Sequence, residues 1–214
     1  MTDRSNGYER VAAEFLSGRG SGGARSKGIG VKAVREWARM LPSGATVIDL
    51  GCGPGFPITE VLVSEGLNVY AVDASSSFVD AFRRNLPGIQ VACEAVEAST
   101  FFNRTFDGVL AWGLIFLLTA EEQRRLIHRV ADILVPGGRL LFTSCAGHEP
   151  LVWNDAMTGL ESRSLGAVEY RRQLTAVGLS LIREYEDEGE NHYFDALKSA
   201  SRGSSPSRGP RKEV

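Results

Sequence analysis

This sequence lacks the marks of a membrane, a disulfide frame or a nucleic-acid partner. Its longest apolar run, Val109 to Leu118, is interrupted by Gly113 and reaches half of the ~20 residues that a helix needs to cross a bilayer. The N-terminus carries acidic and polar residues where a signal peptide would carry its apolar segment, which predicts a cytoplasmic protein with no membrane partner. Three cysteines, Cys52, Cys93 and Cys145, are an odd number at no metal-ligand spacing, so reduced thiols and no metal site are expected. Basic charge is also short. Of 24 Lys and Arg, four (Arg202, Arg208, Arg211, Lys212) fall in residues 199–214 beside Glu213, leaving 20 basic against 25 acidic residues elsewhere. A mildly acidic body lacks the basic face of a nucleic-acid binder, and no internal repeat is visible.

What is present is concentrated around one stretch. Thr46 to Leu50 is a short β-branched and apolar run, Gly51, Gly53 and Gly55 form a turn, and a helix-like segment begins at Ile58. Glycines suit a strand-to-helix turn that must bend sharply while bringing backbone N–H groups close to a ligand. Asp73 stands 22 residues after Gly51, at the end of a second apolar run, the distance at which a carboxylate reaches a ribose hydroxyl pair. The Ala-Ser-Ser-Ser77 that follows also allows Asp73 to cap the next helix. A dinucleotide fingerprint requires a third glycine three residues beyond Gly53, and that residue is Phe56. Pyrophosphate, and with it a nicotinamide dehydrogenase, is disfavoured.

The stretch Val47-Ile-Asp-Leu-Gly-Cys-Gly-Pro-Gly55 resembles the signature loop of the class I S-adenosylmethionine-dependent methyltransferases. The resemblance implies an α/β three-layer fold with a mostly parallel seven-stranded sheet in the order 3-2-1-4-5-7-6, strand 7 antiparallel. It also implies a site. The backbone of Gly51, Cys52 and Gly53 would face the methionine part of the cofactor, Asp49 would receive its amino group, and Asp73 with Ala74 would hold the ribose. Ala95 and Val96 would meet the adenine edge, where the family more often has an Asp-Ala pair. Trp112, at the end of strand four, would line the pocket by its indole face. Tyr8 and Arg19 or Arg25, in the N-terminal cover, would close over the methionine carboxylate, which a guanidinium binds in a fork.

Alternating strand and helix signals support that architecture from the residues alone. Helices are expected over residues 8–16, 30–41, 76–85, 120–134 and 167–177, the fourth opened by a capping box at Thr119-Ala-Glu-Glu122. Residues 17–30, rich in glycine, and 145–163 are expected to be irregular, and Phe101-Phe-Asn-Arg104 a loop. This divides the chain into a helical N-terminal cap (1–44), a methyltransferase domain (45–198) and a disordered basic tail (199–214).

The expected reaction is methyl transfer from S-adenosylmethionine to O, N or S of a small molecule, by proximity and orientation. A protein methyltransferase and a non-catalytic cofactor-binding module are the alternatives. Nucleic-acid amino-methyltransferases are disfavoured, because Ala111-Trp-Gly-Leu114 stands where their Asn-Pro-Pro-Tyr type motif would be. His148 and His192 are the candidates for a general base, while His128 is expected on a helix surface. Phe116, Trp153, Met157 and Tyr193 are candidate walls for a flat or apolar acceptor, and the acidic run 184–190 reads as a solvated turn.

Overall fold

The structure is a computed structural model and describes residues 3–19 and 28–200. Of the expected tail, residues 201–214 lie outside these residues, as do Arg25 and the Arg19 side chain. Two helices, α1 (Tyr8–Arg19) and α2 (Val31–Ala38), precede β1 (Thr46–Leu50), α3 (Ile58–Ser64), β2 (Asn68–Asp73), α4 (Ser76–Asn85), β3 (Gln90–Cys93) and β4 (Phe106–Ala111). Then come α5 (Ala120–Ile133), β5 (Leu134–Ser144), β6 (Leu151–Asn154), β7 (Glu161–Ser164), α6 (Ala167–Ala176), β8 (Leu179–Glu186) and β9 (His192–Lys198).

Seven strands form one sheet in the order β3-β2-β1-β4-β5-β9-β8, in which β9 alone runs antiparallel to its neighbours. Once the separate β6–β7 hairpin is set aside, this is the expected order. Side chains alternate between two apolar layers, as the period of a strand requires. Val47, Leu110, Leu141 and Tyr193 pack with α2 and α3, while Ile48, Val109, Phe142 and Phe194 pack with α5 and α6. Gly108 is small for a packing reason. A Cβ there would lie 2.9 Å from the rings and methyls of Trp37 and Leu41, so the glycine lets α2 settle on β4.

Three segments depart from the expectation. α1 continues through Gly18 to Arg19, so the glycine-rich connection begins later than residue 17. Residues 145–163 are not irregular throughout: β6 and β7 pair with Leu151 opposite Ser164 and Asn154 opposite Glu161. The period-2 pattern is masked there because β6 leaves Leu151 and Val152 exposed while β7 buries the polar Ser162 and Ser164. Phe101–Asn103 forms one tight helical turn with φ of 48°, 56° and 52°, a left-handed conformation that no propensity argument anticipates. The Thr119–Glu122 capping box forms as expected, with the Thr119 hydroxyl accepting from the Glu122 N–H and the Glu122 carboxylate accepting from the Thr119 N–H at 2.9 Å. Among the described residues no helix is long and apolar enough to cross a membrane, and no cluster of three or more His, Cys, Asp or Glu could hold a metal ion.

Candidate functional site

The connections that leave the carboxyl ends of β1, β2, β3 and β4 converge on a cavity of about 250 Å³, the place where open α/β sheets hold their ligands. The glycine loop forms its floor. Gly51, Gly53 and Gly55 all have positive φ, and the Gly51 and Cys52 N–H groups donate to the Val72 carbonyl at 2.8 and 3.1 Å, tying the loop to β2. A Cβ at Gly51 or Gly55 would press on Leu114 or Leu86, whereas one at Gly53 would meet nothing within 4 Å. The Cα of Gly53 therefore faces open space.

Asp73 ends β2 and lines the cavity. Its Oδ2 accepts the Gly53 N–H and its Oδ1 the Ser75 N–H, both at 2.8 Å, so it fixes the glycine loop against the start of α4. Burial pushes its pKa up to about 6, and the backbone donors only partly oppose that shift. Asp49, at the end of β1, is fully buried and accepts the Thr59 hydroxyl at 2.6 Å. Burial raises its pKa to about 7, with the Thr59 bond lowering it and the Asp73 charge raising it further. The buried Cys52 thiol is held well above its ordinary value, by burial first and then by Asp73 and Asp49. It is no nucleophile, but its backbone lines the loop.

The far wall comes from the segment after β3, where Ala95, Val96 and Glu97 line the cavity and Arg4 reaches over to Glu97 at 2.6 Å. α1 forms the cover. Tyr8 and Phe15 line the cavity, and Phe15 packs on Phe78 of α4 with ring centroids 4.9 Å apart. Glu9 holds this helix down: its carboxylate accepts from the Ser75, Ser76 and Ser77 hydroxyls and the Ser77 N–H, which lowers its pKa to about 2. The Tyr8 hydroxyl donates to Asp155 in the β6–β7 turn, and Arg10 donates to the Thr158 carbonyl there. The cover is thus fastened to α4 on one side and to the hairpin on the other.

The segment after β4 adds an apolar wall of Trp112, Leu114, Phe116, Leu117 and Leu118, and the polar Asn191, Ser5 and Asn6 also line the cavity. Trp153 packs on Phe116 from outside at 5.7 Å between centroids. Tyr193 is buried behind Trp112, to which its hydroxyl is bonded, and Met157 is exposed, so of the four expected walls Phe116 alone lines the cavity.

The structure brings Tyr8, Asp49, Gly51, Cys52, Gly53, Asp73, Ala74, Ala95, Val96 and Trp112 to this one cavity. It does not bring the histidines. His148 is exposed beyond the end of β5, because the chain there leaves the sheet toward the hairpin. His192 begins β9 with its ring held between two carboxylates, Nε2 at 2.9 Å from Glu184 and Nδ1 at 3.4 Å from Glu186, and does not line the cavity. His128 is exposed on α5. Glu9, Thr59 and Asn191 were not singled out from the sequence for the cavity. The serine triplet at residues 75–77 was the one available signal for Glu9, since a helix N-terminus with three hydroxyls suits a carboxylate from elsewhere in the chain.

The two buried carboxyls make a pH prediction. Both have folded-state pKa values above their unfolded ones, so between about pH 4 and 7 the folded chain binds more protons than the unfolded chain. Their stability contribution is full below the unfolded value and is lost as pH rises through about 6 and 7. Glu9 and Glu169 shift the other way, to about 2, and their windows close below pH 4.5. The ligand-free protein is therefore expected to gain on the order of 1–4 kcal/mol from these groups as pH falls from 8 to 5.5. Asp49→Asn should flatten most of that gain. Melting temperatures of both proteins across this range check it, and a wild-type profile that falls on acidification contradicts it.

Residues 47–138 match the model of a methyltransferase domain family. Over 123 residues the chain is 35% identical to an uncharacterized methyltransferase of Mycobacterium tuberculosis, an alignment covering 56% of this chain and 43% of that protein. Over 111 residues it is 35% identical to the aklanonic acid methyltransferase DauC of a Streptomyces species, covering 48% and 49%. The matched region is thus under half the length of these curated relatives. In structure the chain resembles the 1,6-didemethyltoxoflavin-N1-methyltransferase of Burkholderia thailandensis, solved with bound 1,6-didemethyltoxoflavin and S-adenosylhomocysteine. The TM-score is 0.66 at 18% identity, with 90% of each chain covered.

Proposed function

We propose, from the fold and from the methyltransferase-domain match over residues 47–138, that the chain is a class I S-adenosylmethionine-dependent methyltransferase acting on O, N or S of a small molecule. The observation that carries this reading is the meeting of the glycine loop, Asp73 and the Ala95–Glu97 segment around one cavity. In this reading the cofactor is S-adenosylmethionine, residues 45–198 form the catalytic domain, and α1 and α2 belong to its N-terminal cap.

The cavity residues suit that cofactor in kind. The Asp73 carboxylate takes the Gly53 N–H on one oxygen and the Ser75 N–H on the other and has acceptor capacity left for ribose hydroxyls, while Gly53 has no side chain to block approach. Asp49 lies deeper, where an ammonium group would favour its charged form and draw its pKa down. Phe56 stands where a dinucleotide loop needs glycine and instead lines the cavity. When bound, S-adenosylmethionine would supply an electrophilic methyl group: the acceptor's lone pair would take it, the C–S bonding pair would stay with sulfur, and a proton carried by the acceptor would pass to solvent. The protein then has to hold the nucleophile in line, keep out water and present the Trp112 face to positive charge. No histidine is needed, and the reading assigns none.

The experiment combines binding and transfer. Calorimetry should show adenosylhomocysteine binding and no NADH binding, and label from radioactive S-adenosylmethionine should pass into the small-molecule fraction of a cell extract. NADH binding without adenosylhomocysteine binding would sink the reading. Label confined to protein would replace it with a protein methyltransferase, and binding without transfer would leave a cofactor-binding module.

A further inference from the structure

We propose that Asn191 selects the methyl acceptor, its carboxamide oxygen taking a hydrogen bond from an N–H or O–H of a flat aromatic or heterocyclic molecule. This rests on the methyltransferase reading and names the class of molecule that the open half of the cavity would take.

Placement comes first. Asp73 and Ala95–Glu97 follow β2 and β3, at one end of the sheet. Asn191 directly precedes β9, which pairs with β5 on the other side of β1 and β4. A ligand held by Asp73 and the post-β3 segment occupies the former half. Asn191 therefore addresses what lies beside it, among Trp112, Phe116 and Leu117. Aromatic and aliphatic walls favour a flat apolar body, and Asn191 is the polar side chain that the β9 side offers to orient it.

The orientation of the amide is set by chemistry. Asp187 accepts the Asn191 backbone N–H at 3.0 Å, and the Asn191 Nδ2 lies 3.0 and 3.1 Å from the two Asp187 oxygens. A carboxylate can face only the nitrogen end of a carboxamide, so the oxygen end points elsewhere, and no described residue donates to it. Asp187 also accepts the Tyr193 hydroxyl at 2.7 Å, and that hydroxyl accepts the Trp112 Nε1–H at 2.9 Å. Burial alone would raise the Asp187 pKa. The bonds from Tyr193, Asn191 and Gly189 outweigh burial and keep it below the ordinary value, so the carboxylate stays charged. One anion thus holds two cavity-lining side chains, Trp112 and Asn191, in fixed positions.

The test uses radiolabelled S-adenosylmethionine with serial dilutions of the small-molecule fraction of a cell extract, and calorimetry with adenosylhomocysteine. In Asn191→Leu the half-saturating amount of extract should rise about tenfold, the loss of one oriented hydrogen bond, with limiting rate and adenosylhomocysteine affinity changed less than about twofold. Asp187→Asn frees the amide to turn and should raise half-saturation in the same direction. The double variant should lose less than the sum of the two single losses, because the carboxylate acts partly through the amide and partly through Tyr193 and Trp112. Unchanged half-saturation in Asn191→Leu overturns the proposal, as does a parallel fall in adenosylhomocysteine affinity. Failure of the methyltransferase reading is distinct, since the wild type itself would then label nothing in the small-molecule fraction.

Discussion

Asp73→Ala is expected to weaken adenosylhomocysteine binding at least tenfold and to lower the melting temperature as well. The first effect follows from removing an acceptor of two ribose hydroxyls, each charge-assisted bond being worth ~1.5–3 kcal/mol. The second follows from the Gly53 and Ser75 N–H groups, which lose their acceptor together and release the glycine loop from the start of α4. The sequence posed ribose binding and helix capping as alternatives for this residue. The cap is Ser75, whose hydroxyl accepts the Phe78 N–H at 3.2 Å, so Asp73 supports the start of α4 through the Ser75 N–H and not as its cap, which leaves its carboxylate free for the first role. Part of the stability loss is offset, because a carboxyl raised to about 6 by burial is a desolvated group whose removal relieves a cost. Asp73→Asn separates the two effects. The amide keeps one oxygen for a backbone donor but turns an NH₂ toward the other, so affinity should fall nearly as far while melting falls less. Unchanged adenosylhomocysteine affinity in both variants would remove Asp73 from the binding site.

Legibility from the sequence follows the range of the interactions. The glycine loop, the Asp73 position and the capping box are local patterns, in which backbone need and residue type meet within a few positions, and each was readable. Sheet order was not readable from local pattern. It came with the resemblance, and the pairing of β9 between β5 and β8 bears it out. The β6–β7 hairpin was missed because its buried face is polar: Ser144, Ser164, Tyr170 and Gln123 share a hydrogen-bonded cluster where an apolar stripe would have announced the strand. Glu9 on Ser75–Ser77 and Asn191 on Asp187 differ in another way. The first pairing spans more than 60 positions and leaves no trace in composition, while the second is a turn contact whose value lies in the cavity wall that it orients.

The contact whose loss should cost most stability lies behind the cavity wall. Arg129 sits on α5, on the far side of the segment that follows β3. Its guanidinium donates to the Val96 carbonyl at 2.8 Å and to the Ser99 carbonyl, and lies 4.4 Å from the centre of the Phe101 ring. Beyond that ring the chain makes its left-handed turn at Phe101, Phe102 and Asn103, each such residue costing roughly 1–2 kcal/mol in an L-chain. The Ser99 hydroxyl, bonded to Glu94 and to the Phe101 N–H, helps to set the turn, but Arg129 ties it to the body of the protein. Val96 is a cavity residue, so the same side chain positions the wall that would meet the adenine. Arg129→Met keeps most of the stem's packing and removes two charge-assisted bonds and the ring contact. It should cost about 2–4 kcal/mol in chemical denaturation and weaken adenosylhomocysteine binding roughly tenfold. Arg129→Lys places one compact ammonium where a planar fork spanned two carbonyls, and should recover less than half of either loss. A denaturation midpoint for Arg129→Met close to wild type would show that the turn holds itself. A large stability loss with unchanged affinity would show that Val96 is positioned from the β3 side and not from α5.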